Sequence, residues 1–472
     1  MADHAASIDF QAVILAAGRG TRMRSQHIKV LHPILGLPML AHPMRAAREA
    51  GARLIVPVLG HDKQKVEAWL ESFDAGVPVR VATQAQQLGT GHAVFCALEQ
   101  LDTQTDYTVI LSGDVPNLRA SSLRAFVASM VQSGAPLGVM TAHVEQPGKY
   151  GRIVRNSQGD VTGIVEFADA SEQQRAIKEI NAGIYVARTD FLMSSLQTIM
   201  DAGAHNAQQE YYLTDLVALA SDHGAAMGWA LEDLDEAQGV NTRAHLAMAT
   251  RAAQQRVNNH WMAQGVTMIS PSQTFIDVRA TLEQDVVLYP NVHIEGASHI
   301  SQDVVVEQGT LVRDSHIGPG TTLKAHSYLH DAKVGAGANI GPFAHLRPGS
   351  DVGDKCKVGN FVEIKKTVMH EGSKAGHLTY LGDAQVGAGA NIGAGTITCN
   401  YDGTHKHQTV IGQGAFIGSN SALVAPVSIG DSAYVAAGST ITNEVPDDAL
   451  GVARSRQRNI ERWAERREKS KS

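Results

Sequence analysis

Three cysteines are all that the chain carries in 472 residues, at Cys96, Cys356 and Cys399. An odd, scattered set has neither the pairing of a disulfide framework nor the spacing of a zinc finger, so a reducing, cytoplasmic setting is expected. Long hydrophobic runs are also missing. No stretch reaches the roughly 18 consecutive apolar residues that would span a bilayer, and Met1 to Asp9 lack the basic and apolar regions of an export signal. A soluble, unexported protein with no membrane partner is the expectation. Positive charge is not in excess either. A formal net charge of -7 gives no reason to expect nucleic acid, although small anions can bind wherever cations are gathered locally. One such gathering is the tail from Arg454 to Lys471, whose ordinary reading is a solvated terminus.

What is present is globular composition, 43% hydrophobic and 18% charged, at a length that calls for more than one domain. The first half alternates short β-rich runs with helical stretches: Phe10 to Leu15, Leu54 to Leu59, Val77 to Val81 and Thr108 to Leu111. This alternation predicts an α/β domain on a mainly parallel, Rossmann-like sheet. Ligands gather at the carboxyl ends of such strands, so the loops after Leu15 and Leu111 are where chemistry is expected. Thr242 to Met262 then reads as a helical arm, with Leu246, Ala249, Ala253, Val257 and Trp261 on one face. Plain packing is the ordinary meaning of such a stripe.

From about residue 265 a six-residue repeat takes over. Ile294, Ile300, Val306 and Val312 are evenly spaced, and later the phase is marked by Val334-Gly335, Ile340-Gly341, Val352-Gly353 and Val358-Gly359. The same beat returns at Val386-Gly387, Ile392-Gly393, Ile411-Gly412, Ile417-Gly418 and Ile429-Gly430. Such a period signals a parallel β-helix, with one aliphatic residue pointing inward per hexad and three hexads making a triangular coil. Cys399 to Gln408 break the period and are expected to form a loop thrown out from the solenoid. Large flat flanks make a symmetric oligomer, a trimer, plausible.

Leu15-Ala16-Ala17-Gly18-Arg19-Gly20-Thr21-Arg22-Met23 follows a strand directly. Its backbone N–H groups can nest a phosphate, with Arg22 and Lys29 supplying charge, or Gly18 and Gly20 can simply be turn residues. Ser112-Gly113-Asp114 ends another strand, where the carboxylate could hold a cation beside phosphates or cap the next helix. At this point the chain resembles the sugar-nucleotide pyrophosphorylases, whose signature is a Leu-Ala-Ala-Gly loop, then Gly-Thr-Arg-Met, then a lysine, although Ile28 stands where that lysine is usually preceded by proline.

Over residues from about 10 to Arg454 the chain resembles the bacterial bifunctional N-acetylglucosamine-1-phosphate uridyltransferase and glucosamine-1-phosphate acetyltransferase family. The resemblance implies domains at 1–241 (uridyl transfer), 242–264 (helical arm) and 265–472 (a left-handed β-helix for acetyl transfer). It implies that Leu15, Ala16, Ala17, Gly18, Lys29, Gln84, Gly89, Thr90, Ser112, Gly113, Asp114, Gly151, Glu166, Asn181 and Asn241 bind the sugar nucleotide. Ser112 stands where a tyrosine is usual. Asp114 and Asn241 would hold magnesium (Mg2+), while Arg22 and Lys29 would offset charge as the sugar 1-phosphate attacks the α-phosphorus of UTP.

In the solenoid the densest polar cluster runs through Leu346 to Gly349, Gly359 to Lys366 and Lys374 to Asp383. Acetylation of an amine needs a base near neutrality, which suits a histidine, and His377 lies in the cluster. Alone, it could equally be structural. The resemblance makes His377 the catalytic base, Arg347, Lys365, Tyr380 and Asn391 the contacts of glucosamine-1-phosphate, and Ala394, Asn400, Tyr401, Ser419, Ala437 and Arg454 those of acetyl-CoA. It also implies a homotrimer. Blander readings make Lys365 and Lys366 edge-strand charges and let Tyr401 pack under its own loop. Scaffolds of this kind also carry zinc enzymes, but His370, His377, His405 and His407 are poorly spaced for a site. Two rivals remain: a single-activity sugar-1-phosphate nucleotidyltransferase with a structural β-helix, and a silent sugar-nucleotide-binding scaffold.

Overall fold

A computed structural model describes residues 8–204, 206 and 209–469. Most of the polar start, 1–7, and the end of the basic tail, 470–472, lie outside them. The described chain divides into two compact units, Met1–Ala253 and Gln254–Ser472.

The first unit is built on nine strands: β1 (Phe10–Ala16), β2 (Ile55–Leu59), β3 (Ala82–Thr83), β4 (Tyr107–Ser112), β5 (Leu137–His143), β6 (Arg152–Arg155), β7 (Val161–Val165), β8 (Glu179–Arg188) and β9 (Ala226–Ala230). Their order across the sheet is β3-β2-β1-β4-β8-β5-β9-β7-β6. β1 and β2 are apolar almost throughout because helices cover both faces, as in parallel sheets generally. β1 pairs in parallel with β2 and β4, and β2 with β3. The expectation of a mainly parallel sheet holds only for this half, since β8 runs antiparallel to both β4 and β5. Val77 to Val81 is also not a strand. Val79 makes one isolated bridge to Ile55 and the edge strand comes later, at β3. Pro78 has no N–H to give a ladder and offers only its carbonyl, to the Ile55 N–H.

A helix does run over Arg243–Ala263, and its apolar stripe packs as expected. Leu246, Ala249 and Ala253 close a small core of the first unit with Met23, Ile34, Met39 and Val240. Within the second unit, Val257 and Trp261 pack on the solenoid core. Gln254 and Asn258 donate to the carbonyl of Thr274 at 2.7 and 2.9 Å.

Short parallel strands then stack into three sheets, of 11, 10 and 9 strands among the described residues. One buried aliphatic column runs down the axis through Ile294, Ile300, Val306, Val312, Ile340, Leu346, Val358 and Ile364. The repeat is not strictly six. From Val312 to Ile317, Leu329 to Val334, Ile364 to Met369 and Leu381 to Val386 the step is five. Each short step falls at one corner of the prism, turned by a residue in the left-handed region: Asp314, Asp331, Lys366 and Asp383, with φ of 44°, 46°, 46° and 50°. Aspartate, which stands at three of the four, tolerates that region better than most residues, so those corners turn without a glycine; Lys366 turns the fourth. The expected insertion is thrown out between strands Ile397–Cys399 and Thr409–Ile411, spanning 400–408, while Cys399 itself ends the first strand.

Leu323 is fully buried mid-column. Leu323→Ala is expected to cost about 2–5 kcal/mol in chemical denaturation of the solenoid, while the surviving folded protein keeps its activity.

Candidate active sites

Pairing of β1 with β4 places Leu15 opposite Ser112, so the two loops that follow are neighbours. The Gly113 N–H donates to the Leu15 carbonyl at 2.8 Å. A Cβ on Gly113 would lie 3.0 Å from that oxygen. Over Gly18 nothing lies within 4 Å of where a Cβ would be, which leaves open space for a ligand against the backbone. Gly20 has φ +61° and passes so close to Lys29 that an added Cβ would stand 2.6 Å from the Lys29 Cβ. Lys29, nearly buried, crosses the loop against the bare Gly20 backbone to pair with the Asp114 carboxylate, and its Nζ also donates to Asn241 Oδ1 at 2.9 Å. Arg22 Nη2 reaches the same Asn241 oxygen at 2.9 Å. Asn241 is brought there because the Val240 N–H donates to the Asp114 carbonyl at 2.8 Å. Residues separated by more than two hundred positions thus converge on one spot.

Two further groups of expected residues take shape in this unit. Gln84, buried, donates from Nε2 to the Gly89 carbonyl at 3.0 Å. Gly89 has φ +108° and packs against Tyr211, while the Thr90 hydroxyl accepts from the Leu213 N–H at 3.1 Å, a structural clasp. Elsewhere Gly151 lies beside Glu166, whose Oε1 would be 3.3 Å from a Cβ at 151. Burial, then the carboxylates of Asp169 and Asp215, hold Glu166 above the ordinary carboxylate range. All three acids line a cavity of about 610 Å³ that Tyr212 also borders. Asn181 is held at both ends, its amide donating to the Tyr185 hydroxyl at 2.6 Å and its oxygen accepting from the Gly183 N–H at 2.9 Å. Asp169 and Asp215 gave no sequence signal; only the fold brings them to Glu166.

In the solenoid, neighbouring coils set Asn360 beside His377 in register. His377 is exposed, and its Nδ1 lies 2.7 Å from Asn360 Oδ1. That oxygen only accepts, so Nδ1 carries the proton and Nε2 is left as the free lone pair. Arg347 Nη1 donates to Glu363 Oε1 at 2.6 Å. Lys365 is held below the ordinary lysine range, chiefly by the adjacent Lys406 ammonium and further by Arg347, with Asp383 acting the other way. Tyr380 lies with its hydroxyl over Gly382, near Asn400, and Asn391 sits on the strand paired to Lys374 and Phe416. Ala394, Ser419 and Ala437 stack in a column: the Asn420 N–H donates to Ala394 O at 2.7 Å and the Gly438 N–H to Ser419 O at 2.8 Å. Arg454 comes up beside Gly438. Tyr401 is 60% exposed, and its hydroxyl donates to the Gly403 carbonyl of its own loop at 2.5 Å. Asn360, Glu363, Asp383 and Lys406 were unassigned by sequence reasoning, because nothing in their spacing marks them as partners.

A nucleotide-type loop on a Rossmann-like sheet and a hexapeptide solenoid with a free imidazole define a two-part transferase. The MobA-like NTP transferase domain family matches residues 12–223, and the bacterial transferase hexapeptide (six repeats) family matches 331–366 and 408–443. The bifunctional protein GlmU of Trichlorobacter lovleyi is 49% identical over 453 residues, covering 96% of this chain and 97% of its own. That of Pelobacter propionicus is 47% identical over 459 residues, at 97% and 98%. That of Geobacter sulfurreducens is 44% identical over 470 residues, at 96% and 98%. The chain belongs to the bifunctional GlmU family. It is accordingly a transferase with two activities, glucosamine-1-phosphate acetyltransferase and UDP-N-acetylglucosamine pyrophosphorylase, and the single-activity alternative is set aside. Its fold is the nucleotidyltransferase domain followed by the left-handed β-helix. Enzymes of this family use a divalent metal and acetyl-CoA and act on small molecules. Among the described residues no helix is long and apolar enough to cross a membrane.

Gly20→Ala should strain the loop and displace Lys29. Uridyl transfer is expected to fall about tenfold or more, with acetyl transfer by the same preparation unchanged.

Proposed function

We propose that residues 1–241 carry uridyl transfer and 265–472 acetyl transfer, joined by the 242–264 arm. In this reading the metal is Mg2+, the assembly a homotrimer and the setting the cytoplasm. The convergence of Arg22, Lys29, Asp114 and Asn241 at the carboxyl ends of β1 and β4 carries the reading of the first site. Asp114 and Asn241 both aim an oxygen at the Lys29 ammonium, so two hard donors, one of them anionic, face a single cation position. That donor set fits Mg2+, which keeps most of its shell for water and phosphate. Bound there, Mg2+ would draw charge from the phosphates.

Arg22 and Lys29 neutralise the phosphates while the Leu15–Gly18 backbone holds them in place. The attacking sugar phosphate is already an anion, so no base is required; its oxygen bonds the α-phosphorus of UTP and pyrophosphate leaves. Gln84, Gly89, Thr90, Ser112 and Gly113 border the nucleotide, and Gly151, Glu166 and Asn181 the sugar. In the solenoid, His377 Nε2 takes the amine proton as the nitrogen of glucosamine-1-phosphate attacks the thioester of acetyl-CoA; the C–S bond breaks, and the CoA thiolate takes up that proton and departs as its thiol. Asn360 keeps the imidazole in the required tautomer. Arg347 and Lys365 receive the sugar phosphate, with Tyr380 and Asn391 on the sugar. Asn400, Tyr401 and the Ala394, Ser419 and Ala437 column lie along acetyl-CoA, whose phosphates meet Arg454. Three free cysteines suit a reducing cytoplasm. Phe343, Phe361 and Leu378 are exposed apolar residues on the solenoid, which supports burial between copies in a trimer.

Paired assays test the assignment: thiol released from acetyl-CoA with glucosamine-1-phosphate, and pyrophosphate released from UTP with N-acetylglucosamine-1-phosphate. His377→Ala should abolish only the first and Asp114→Ala only the second. Loss of both from one substitution, or of neither, would overturn the site roles.

A second check uses Glu166. Its raised pKa means that it protonates at higher pH than an ordinary glutamate, so acidification removes an acceptor for sugar hydroxyls early. The KM for N-acetylglucosamine-1-phosphate should rise as pH falls through that value. Asp169→Asn, by removing a repelling carboxylate, should move the rise to lower pH; an unmoved profile would count against Glu166 in the sugar pocket.

A further inference from the structure

Lys29 and Asn241 come together in the first unit through bonds that use the oxygens a cation would need. Lys29 pairs with Asp114 and donates to Asn241 Oδ1, and Arg22 donates to the same Asn241 oxygen. When those oxygens turn to a metal and the two cations to phosphates, these bonds no longer join the segments. One further bond uses neither oxygen. Arg243 Nη1 donates to His32 Nδ1 at 3.3 Å, and both residues belong to the first unit. His32 follows Lys29 by three residues, and Arg243 follows Asn241 by two.

The backbone makes this link short and stiff. Lys29–Leu31 form a single helical turn that His32 closes, its N–H donating to the Lys29 carbonyl at 3.3 Å. The His32 carbonyl accepts from the Met39 N–H at 2.9 Å, which ties the turn to the hairpin that follows. Arg243 opens the arm, where the Thr242 hydroxyl accepts from the His245 N–H at 3.2 Å.

The ring is poorly suited to a packing role. It is 4% exposed. A guanidinium only donates, so Nδ1 offers its lone pair to Arg243 and the ring proton sits on Nε2. Nε2 is buried and has no hydrogen-bond partner among the described residues. An unpaired buried donor is a standing cost that an apolar side chain of similar size would not carry. Facing the ring are Arg243 and His27, the latter edge-on with centroids 5.9 Å apart. Burial first, then these two groups, hold the His32 pKa below the ordinary histidine range. The ring therefore stays neutral, and Nδ1 able to accept, to lower pH than in an ordinary histidine.

We propose that His32 is a positioning residue for uridyl transfer, accepting from Arg243 so that the Lys29 turn stays against the Asn241 segment while Lys29 and Asn241 engage substrate and metal instead of each other. The inference rests on the reading of Lys29, Asp114 and Asn241 as the phosphate and Mg2+ contacts. His32 touches no substrate; its effect runs through Lys29 and Asn241.

The test is pyrophosphate release by the full-length protein with UTP varied, followed between about pH 5 and 8. Acetyl transfer and the urea midpoint are measured on the same preparations. His32→Leu and Arg243→Met are each expected to lower kcat/KM for UTP about tenfold or more. Acetyl transfer should be unchanged, and the midpoint unchanged or raised. Arg243 is exposed, so Arg243→Met keeps the test open if His32→Leu does not fold. The double variant should be no worse than either single one, since a shared path is not additive. His32→Asn keeps an acceptor near the place of Nδ1 and has no proton to gain. It should stay within about twofold of wild type near neutrality. As pH falls, the wild-type ring protonates, both nitrogens become donors and the bond to Arg243 is lost, so His32→Asn should outlast wild type in acid. A midpoint that falls in step with activity, additive losses in the double variant, or an acid limb in His32→Asn identical to that of wild type would overturn the proposal. If Asp114→Ala still releases pyrophosphate, the reading of the site itself falls. If Asp114→Ala is inactive while His32→Leu and Arg243→Met are normal, only this proposal does.

Discussion

Parallel strand pairing decides which side chains become neighbours in both units, and the chemistry depends on it. A parallel ladder brings together the ends of strands that are distant in sequence and fixes them in one register. In the first unit that register sets Leu15 opposite Ser112, so the glycine-rich loop and the Asp114 loop leave the sheet side by side. In the second it sets Asn360 opposite His377 one coil later. Each contact is a consequence of backbone hydrogen bonds made elsewhere, and each would be lost by a slip of one residue, because such a slip turns every side chain to the other face.

Around these frames charged groups gather in three places. Lys29 lies between Asp114 and Asn241, a cation in the place that two oxygen donors prepare. Glu166 is crowded by Asp169 and Asp215. Lys365 is crowded by Lys406. Like charges set together are costly within a folded chain, and on the proposed reading the two crowded clusters, at Glu166 and at Lys365, border ligands whose polarity would relieve that cost.

Much of the fold could be read directly. The hexad period found the solenoid because its core is one aliphatic residue per face, repeated without tertiary surprise, and the broken period located the 399–408 insertion. Where reading stopped short, the reason was local geometry. The five-residue steps at Asp314, Asp331, Lys366 and Asp383 depend on left-handed backbone that aspartate and lysine do not announce. Val77 to Val81 has the composition of a strand, but Pro78 and its place at the sheet edge left it one bridge. The antiparallel course of β8 could not be seen because pairing direction is set by topology, not by the residues of the strand.

The site divides the same way. Arg22, Lys29, Asp114 and His377 stood out in sequence because they sit in short motifs whose chemistry is local: a turn after a strand, a carboxylate at a strand end, a histidine in a polar run. Membership in the bifunctional family likewise rests on the linear order of those motifs. Which groups tune them was decided only by the folded chain. Asn360 sets the tautomer of His377, Asp169 and Asp215 raise Glu166, and Arg243 engages the ring of His32. Electrostatic and hydrogen-bond coupling acts over a few ångströms in space, whatever the separation along the chain, so it becomes visible only once packing has fixed those distances.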